Sequence, residues 1–158
     1  GEYLSLTEGT ATPRTRGDQL DLDASVILLP GGSLEVALRA TPDLSEATFV
    51  KLHRANDATS RITLDRSRSR RSSDIAGYDT VDLGGEIATV LGQAIELRII
   101  VDHSIIEVFV AGVPLTARVY PESPTAEGVR VTTTGPGTAV SLTIWRMDAT
   151  SQLNEVRR

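Results

Sequence analysis

The 158-residue sequence has no cysteine, one lysine and few aromatic residues: two phenylalanines, one tryptophan and three tyrosines. The absence of cysteine excludes disulfides, thiolate zinc sites, iron–sulfur clusters and cysteine nucleophiles. It leaves the compartment open, because a chain of this length buries about 68–70% of its unfolded surface without covalent staples. No apolar run approaches the roughly 20 residues that a membrane-spanning helix needs. The N-terminal GEYLSLTEG also lacks the basic and apolar regions of a secretory signal. We therefore predict a water-soluble chain with no membrane partner.

Charge argues against a nucleic-acid partner. Sixteen basic and twenty-one acidic side chains leave a formal net charge of −5. The segment Arg66–Asp74 contains four arginines and no apolar residue. In an acidic chain, such a segment is typical of an exposed loop whose arginines meet nearby carboxylates. Fifteen arginines against the single Lys51, with many alanines, indicate a bacterial source with a GC-rich genome.

Metal and cofactor sites have little support in the sequence. His53 and His103 are the only histidines and lie fifty residues apart, so neither a histidine metal site nor a Ser-His-Asp triad is indicated. Asp21 and Asp23 alternate with leucines, as on the solvent face of a strand, and no calcium-binding loop follows them. We predict no metal and no cofactor.

Apolar residues recur mainly at a spacing of two, in short runs separated by Gly, Pro, Asn, Asp and Ser, which is typical of half-buried strands. Residues 84–93 fit either a short helical turn or a loop. Many short strands with almost no helix indicate a β-sandwich or a barrel. We predict an all-β fold, a two-sheet antiparallel sandwich of the jelly-roll or concanavalin-like type, as one domain over residues 1–158. The predicted strands cover residues 20–29, 34–38, 49–52, 62–64, 95–101, 105–110, 115–120, 129–133 and 139–147.

One hairpin can be predicted residue by residue. With His103 and Ser104 at its tip, residues whose numbers sum to 207 face each other. This register places six aliphatic side chains on one face, whereas a one-residue slip would scatter them over both faces. Asp102 can cap the turn by accepting the amide of Ser104. The facing pairs are Val101 with Ile106, Ile99 with Val108, and Leu97 with Val110.

The opposite face of this hairpin carries Arg98, Asp102, Glu107 and Phe109, with the two carboxylates diagonal to each other at about 7–8 Å. Paired carboxylates at such separations perform glycoside hydrolysis, which gives one interpretation. In the other, Asp102 caps the turn while Glu107 pairs with Arg98 or Arg66. Strand ends beside turns usually carry polar residues, which favours the second interpretation.

Three motifs in one order carry a family resemblance. The first lies in Glu96–Pro121 and combines Val-Asp, Ser, Ile-Glu-Val-Phe and Thr-Ala-Arg-Val-Tyr-Pro. The second is Leu-Asp-Arg-Ser at residues 64–67, and the third is the strand around Trp145. The chain resembles the C-terminal β-sandwich of glycoside hydrolase family 32, which includes invertases, levanases and inulinases. It departs from the family in the loop Ala111–Pro114, where an Asn or Asp with Gly is usual.

The resemblance implies that catalysis resides elsewhere. In this family an N-terminal five-bladed propeller carries a nucleophilic Asp in Trp-x-x-Asp-Pro-Asn, a stabilising Asp in Arg-Asp-Pro and an acidic Glu in Glu-Cys. None of these motifs occurs here. We therefore expect no catalytic residue and no fructosidase activity in this chain, whose parent would process β-fructofuranosides. A start at Gly1 instead of Met suggests a piece of a longer polypeptide.

Two roles follow from the resemblance, and activity as an enzyme in its own right is disfavoured by the missing motifs. In the first role the chain packs beside the propeller and stabilises it. In the second it is a carbohydrate-binding module that holds the terminal fructose of a fructan. Sugar hydroxyls need charged or amide groups beside an aromatic face, and Phe109 shares a face with Glu107. The sugar-binding candidates are Asp65, Arg66, Asp102, Glu107 and Tyr120.

Overall fold

The computed structural model describes residues 1–70 and 83–147, which form twelve β-strands and no helix. Most strands are short runs in which apolar residues alternate with polar ones. The strands are β1 (Glu2–Leu6), β2 (Gly9–Ala11), β3 (Gln19–Ile27), β4 (Ser33–Ala40), β5 (Thr48–Arg54), β6 (Thr59–Asp65), β7 (Leu83–Ala88), β8 (Ile95–Asp102), β9 (Ile105–Val110), β10 (Val113–Arg118), β11 (Gly128–Thr134) and β12 (Ala139–Arg146).

The strands form two six-stranded antiparallel sheets, which confirms the predicted all-β sandwich. Sheet A has the order β1-β12-β3-β8-β9-β10, and sheet B has the order β2-β11-β4-β5-β6-β7. Both sheets combine strands from distant parts of the chain, and half of the ten strand pairs join strands that are not consecutive in the sequence. Pro114 lies in β10, at the edge of sheet A. An edge strand accommodates proline because one side of its backbone needs no partner.

The core lies between the sheets because alternate residues of each strand point inward. In β3, for example, Leu20, Leu22, Ala24 and Val26 are buried, while the residues between them are more exposed. Side chains from both sheets join one continuous apolar cluster. Burying one such aliphatic side chain contributes about 1.5–3 kcal/mol, so the inward-facing positions of the strands are the main source of stability.

The hairpin register predicted around His103 is confirmed. Val101 faces Ile106, Ile99 faces Val108 and Leu97 faces Val110, and all six side chains are buried. His103 occupies the turn with a positive φ of 54°.

The predicted cap of that turn is wrong. In the described part of the chain, the Asp102 carboxylate does not bond the Ser104 amide but lies 4.0 Å from Nε2 of His103. Asp18 holds the turn instead. Its carbonyl oxygen accepts the His103 amide at 2.7 Å, and its carboxylate lies 2.9 Å from the ring Nδ1.

Other differences from the predicted strands have local causes. Residues 84–93 are neither a helical turn nor entirely loop, because β7 occupies their first half and pairs with β6. Glycines conceal this strand from a hydrophobic pattern, and Gly84 is required there. A Cβ at Gly84 would lie 2.0 Å from the Ile62 carbonyl oxygen. Strands β1 and β2 were not predicted, and β10 begins two residues before its predicted start.

Candidate functional site

Most of the candidate residues in the hairpin around His103 lie on the outer face of sheet A. Because alternate residues point outward, Arg98 of β8 and Phe109 of β9 stand directly opposite each other in the register. Asp23 of β3 is the cross-strand partner of Arg98 on its other side. The result is a row of acidic, basic and aromatic side chains running across neighbouring strands.

Arg98 is held by Asp21, and this contradicts the predicted pairing of Arg98 with Glu107. Its Nε and Nη2 donate to the two carboxylate oxygens of Asp21 at 3.1 and 2.8 Å, and Asp23 lies 3.9 Å away. These hydrogen bonds and the charge of Asp21 raise the pKa of Arg98 above its usual value. The two-bond geometry fixes the plane of the guanidinium group. The neighbouring strand β3, rather than the hairpin partner β9, therefore supplies its counter-charge.

Glu107 and Asp102 share the outer face of sheet A, as the register predicts. Glu107 faces Ile100 on one side and Thr116 on the other, and its side chain is half-buried. The Asp102 side chain is 55% exposed. Both carboxylates therefore stand on an open sheet face, unlike the carboxylates that flank a scissile bond in a glycosidase cleft.

Asp65 and Arg66 lie at the end of β6, in the other sheet, and both are buried. Asp65 accepts Lys51 Nζ at 2.9 Å and the Ser67 amide at 2.9 Å. Burial opposes the ionisation of Asp65, but these hydrogen bonds outweigh it and lower its pKa to about 2. Arg66 donates from Nη1 to the Arg118 carbonyl oxygen at 3.1 Å. The two side chains thus tie structural elements together.

Tyr120 follows β10, and its side chain is partly exposed. Its carbonyl oxygen accepts Nη1 of Arg70 at 2.8 Å. Arg66 and Arg70 therefore both anchor the chain between residues 118 and 120. The five predicted sugar-binding residues do not converge: Asp102 and Glu107 stand on the outer face of sheet A, whereas Asp65 and Arg66 are buried at the end of β6.

The prediction of an exposed arginine loop holds only in part for residues 66–70, which we call the arginine segment: Ser67 and Arg68 are exposed, whereas Arg66 and Ser69 are not. Arg66 is 8% exposed and Ser69 is buried. The Arg68 guanidinium lies 4.7 Å from the centre of the Phe49 ring, and Arg70 pairs with Glu122 at 3.1 Å. The segment therefore covers part of the outer face of sheet B. Residues 71–74 of the predicted loop lie outside the described residues.

Two buried charged residues were not recognised as important in the sequence. Glu46, in a loop expected only to connect strands, is fully buried and accepts the amides of Glu122 and Ser123 at 2.8 Å each. Arg54 is also fully buried and donates to the carbonyl oxygens of Leu28, Asn56 and Asp57. Charged residues beside turn residues normally indicate a solvated loop, so no sequence signal separates these two from exposed ones.

The outer face of sheet A also borders a cleft of about 680 Å³, which we call the Phe109 cleft. It lies where β8 begins, between the loop 89–94 and the turn 111–112. Phe109, 38% exposed, contributes an aromatic side chain to it. The polar side chains that line it are Asp23, Thr89, Gln93, Glu96 and Arg98.

Residues 1–70 and 83–147 lack two other kinds of feature. No cluster of three or more His, Cys, Asp or Glu side chains there is arranged to hold a metal ion. Within the same residues, no helix has the length and apolar character needed to cross a membrane.

Comparison with known proteins identifies the family. The model of the family described as "Glycosyl hydrolases family 32 C terminal" matches residues 3–146. A 6(G)-fructosyltransferase of Asparagus officinalis is 34% identical over 131 residues, which cover 76% of this chain and 21% of the relative. An acid beta-fructofuranosidase of Solanum lycopersicum is 29% identical over 125 residues, 75% of this chain and 20% of the relative. The chain thus spans about a fifth of the length of the curated relatives it matches.

Solved structures show the same fold. The exo-inulinase of Aspergillus awamori superposes with a TM-score of 0.70 at 29% identity, covering 92% of this chain and 28% of the other. Fructan 1-exohydrolase IIa of Cichorium intybus gives a TM-score of 0.70 at 22% identity, covering 94% and 36%. These relatives are plant and fungal proteins, so the bacterial source that the composition indicates stays a prediction.

Proposed function

Because the chain belongs to the family of C-terminal domains of glycosyl hydrolases family 32, we propose that it is a non-catalytic module that packs against an N-terminal catalytic domain. In this proposal the parent protein hydrolyses β-fructofuranosides or transfers fructosyl units from them. Residues 1–158 form one accessory domain, which stabilises the catalytic domain through a shared interface.

The observation that carries the proposal is the extent of the match. Residues 3–146 match a C-terminal family model, and the aligned residues make up only about a fifth of the fructosyltransferase relative. The remaining four-fifths of that relative has no counterpart in this chain. The structure adds support, because the carboxylates of Asp65 and Glu46 are engaged in internal contacts. These charged groups serve the scaffold.

A comparison of the parent polypeptide with and without residues 1–147 tests the stabilising role. Domain interfaces within a chain bury about 600–1,500 Å², so we expect deletion to lower the Tm of the catalytic domain by at least about 5 °C. The isolated chain should release no fructose from sucrose, inulin or levan, with the A. awamori exo-inulinase as a positive control. An unchanged Tm would contradict the stabilising role, and fructose release by the chain alone would contradict its non-catalytic character.

A second candidate function is binding of fructose or a fructan. It is favoured by the exposed aromatic ring of Phe109, which shares the outer face of sheet A with Glu107. The Asp65 and Arg66 side chains are buried, so the contacts would have to come from the exposed Asp102 and Tyr120 and the half-buried Glu107.

Calorimetry with levan oligosaccharides tests this second function. Binding heat that Glu107→Ala abolishes would support a fructan-binding role for the hairpin face. Absence of heat with the wild-type chain would refute it.

A further inference from the structure

We propose that the Phe109 cleft is a binding site for a neutral saccharide of two or three units. The inference rests on the second function proposed above and gives it a location different from the one the sequence indicates. It depends on the shape of the cleft, on its fixed polar groups and on its charge.

The cleft has a rigid floor and two walls. Arg98 and Phe109 form the floor as directly opposed residues of β8 and β9. The loop 89–94 forms one wall, and it is attached to sheet B because the Thr89 amide donates to the Ala58 carbonyl oxygen at 2.8 Å. Ala111 and Gly112 form the other wall, in a tight turn with φ values of 48° and 77°. A site built on paired strands and short turns holds its side chains in place before a ligand arrives.

The polar groups around the aromatic ring are already oriented. Two hydrogen bonds to Asp21 fix the Arg98 guanidinium. The Oε1 atom of Glu96 accepts the Ser25 hydroxyl at 2.8 Å, which positions the carboxylate and leaves its second oxygen for another donor. Gln93 adds an amide that both donates and accepts. Sugar hydroxyls are likewise both donors and acceptors, so this mixed set matches them.

The charge of the lining favours a neutral ligand over an anion. Asp23 and Glu96 are acidic, and the positive charge of Arg98 is already shared with Asp21 and Asp23. A phosphate or carboxylate ligand would meet more negative than positive charge. Phe109 supplies a ring face that can pack against the C–H groups of a sugar, as aromatic side chains do in ligand sites.

The volume is compatible with a short saccharide. A cleft of about 680 Å³ lies within the range of about 300–1,000 Å³ of small-molecule sites. Ligands of two or three sugar units belong to the size class that such sites hold, whereas a long chain would have to extend beyond the cleft.

Calorimetry on the full chain, with 1-kestose as the fructose-containing probe and maltotriose as the glucose-only probe, tests the proposal. We expect at least one probe to bind, and Phe109→Ala to weaken that binding about tenfold or more. Tyr3→Ala is the matched control, because Tyr3 lies in β1, four strands from Phe109 in the same sheet, and its side chain is 63% exposed. It should leave the affinity unchanged. Circular dichroism checks that both variants fold, and Gln93→Ala in the loop wall is measured alongside them.

The possible outcomes separate this inference from the function on which it rests. Binding that Gln93→Ala weakens, and that Glu107→Ala and Tyr3→Ala leave unchanged, would support the cleft, because Phe109 belongs to both candidate locations and Gln93 only to the cleft. Binding that Glu107→Ala abolishes and Gln93→Ala leaves unchanged would overturn the location and retain the sugar-binding function. No heat with 1-kestose, maltotriose or levan oligosaccharides would overturn both.

Discussion

The outer faces of the two sheets differ in whether other segments of the chain cover them. Phe49, on the outer face of sheet B, is only 2% exposed, whereas Phe109, on the outer face of sheet A, is 38% exposed. The segment 41–47 and the arginine segment cover Phe49, and they are joined by a hydrogen bond of 2.8 Å from the Ala47 amide to the Arg68 carbonyl oxygen. Among the described residues, nothing comparable covers Phe109.

The difference shows what is required for loops to bury the outer face of a sheet. Loops carry polar backbone groups that must be paired when they are buried. On sheet B the buried carboxylate of Glu46 accepts the backbone amides of Glu122 and Ser123. The buried guanidinium of Arg66 donates to the backbone carbonyl oxygen of Arg118. Sheet A has no such layer in the described residues, and its outer side chains remain available for a ligand or a partner. The covered outer face of sheet B, which we call the closed face, contributes stability. The exposed outer face of sheet A, which we call the open face, is the one on which we place binding.

The largest expected effect separates the two phenylalanines directly. Phe49→Ala should lower the free energy of unfolding by about 3–5 kcal/mol, because it leaves a cavity beneath the two segments. Phe109→Ala should lower the free energy of unfolding by less than about 1 kcal/mol, because its ring is already partly in water. Urea unfolding of both variants measures this, and equal losses would remove the distinction between the faces.

The next effect concerns the buried carboxylate that anchors the closed face. Glu46→Ala leaves the amides of Glu122 and Ser123 without their acceptor, which should cost about 2–3 kcal/mol. Glu86→Ala, at an exposed position of β7 in the same sheet, is the control and should change stability by less than about 0.5 kcal/mol. A Glu46→Ala variant as stable as this control would show that the anchor has no energetic role.

A pH-dependent effect should follow from Asp65. Its folded-state pKa of about 2 lies below the ordinary value of 3.8, so its ionised form stabilises the fold above about pH 4. That stabilisation is lost as the pH falls through about 2. Lys51 is partly exposed, so we expect Asp65→Asn to cost only about 1–2 kcal/mol at pH 7. The difference from wild type should shrink between pH 4 and pH 2.

Unfolding of wild type and Asp65→Asn across this pH range checks the expectation. Asp102→Asn, on the open face, is the control and should cost less than about 0.5 kcal/mol at pH 7. A difference for Asp65→Asn that stays constant from pH 7 to pH 2 would refute the role given to the ionised carboxylate.

The smallest expected effect belongs to the ion pair on the open face. Arg98 is half-exposed, so a double-mutant cycle with Asp21→Ala and Arg98→Ala should give a coupling of about 0.2–1 kcal/mol. The coupling should decrease as salt is raised. A value above about 2 kcal/mol would mean that this face is more enclosed in solution than its side-chain exposure indicates.

The parts of the fold that the sequence predicts are those governed by alternation. The register of the hairpin follows from six aliphatic side chains, because only one pairing keeps Val101 and Ile106 on the same side. The sequence does not reveal strand β7, because its two glycines add nothing to an alternation of apolar and polar side chains. Gly84 is nevertheless required, since the carbonyl oxygen of Ile62 approaches it closely.

The candidate site was less predictable for a different reason. Charged residues near turns look solvated in a sequence, so the burial of Asp65, Arg66 and Glu46 gives no local signal. The partner of Arg98 comes from β3, about 77 residues away, and no pattern within the hairpin identifies it. The Phe109 cleft depends on how the loop 89–94 crosses between the sheets, which is set by the tertiary structure.

Fluorine NMR offers the most direct test of the contrast between the faces, because the chain contains only two phenylalanines. With fluorinated phenylalanine incorporated, the spectrum should show two resonances, which the Phe109→Ala variant assigns. A soluble paramagnetic relaxation agent should broaden the Phe109 signal strongly and the Phe49 signal little. Added 1-kestose or maltotriose should shift only Phe109. Equal broadening of both signals would contradict the account.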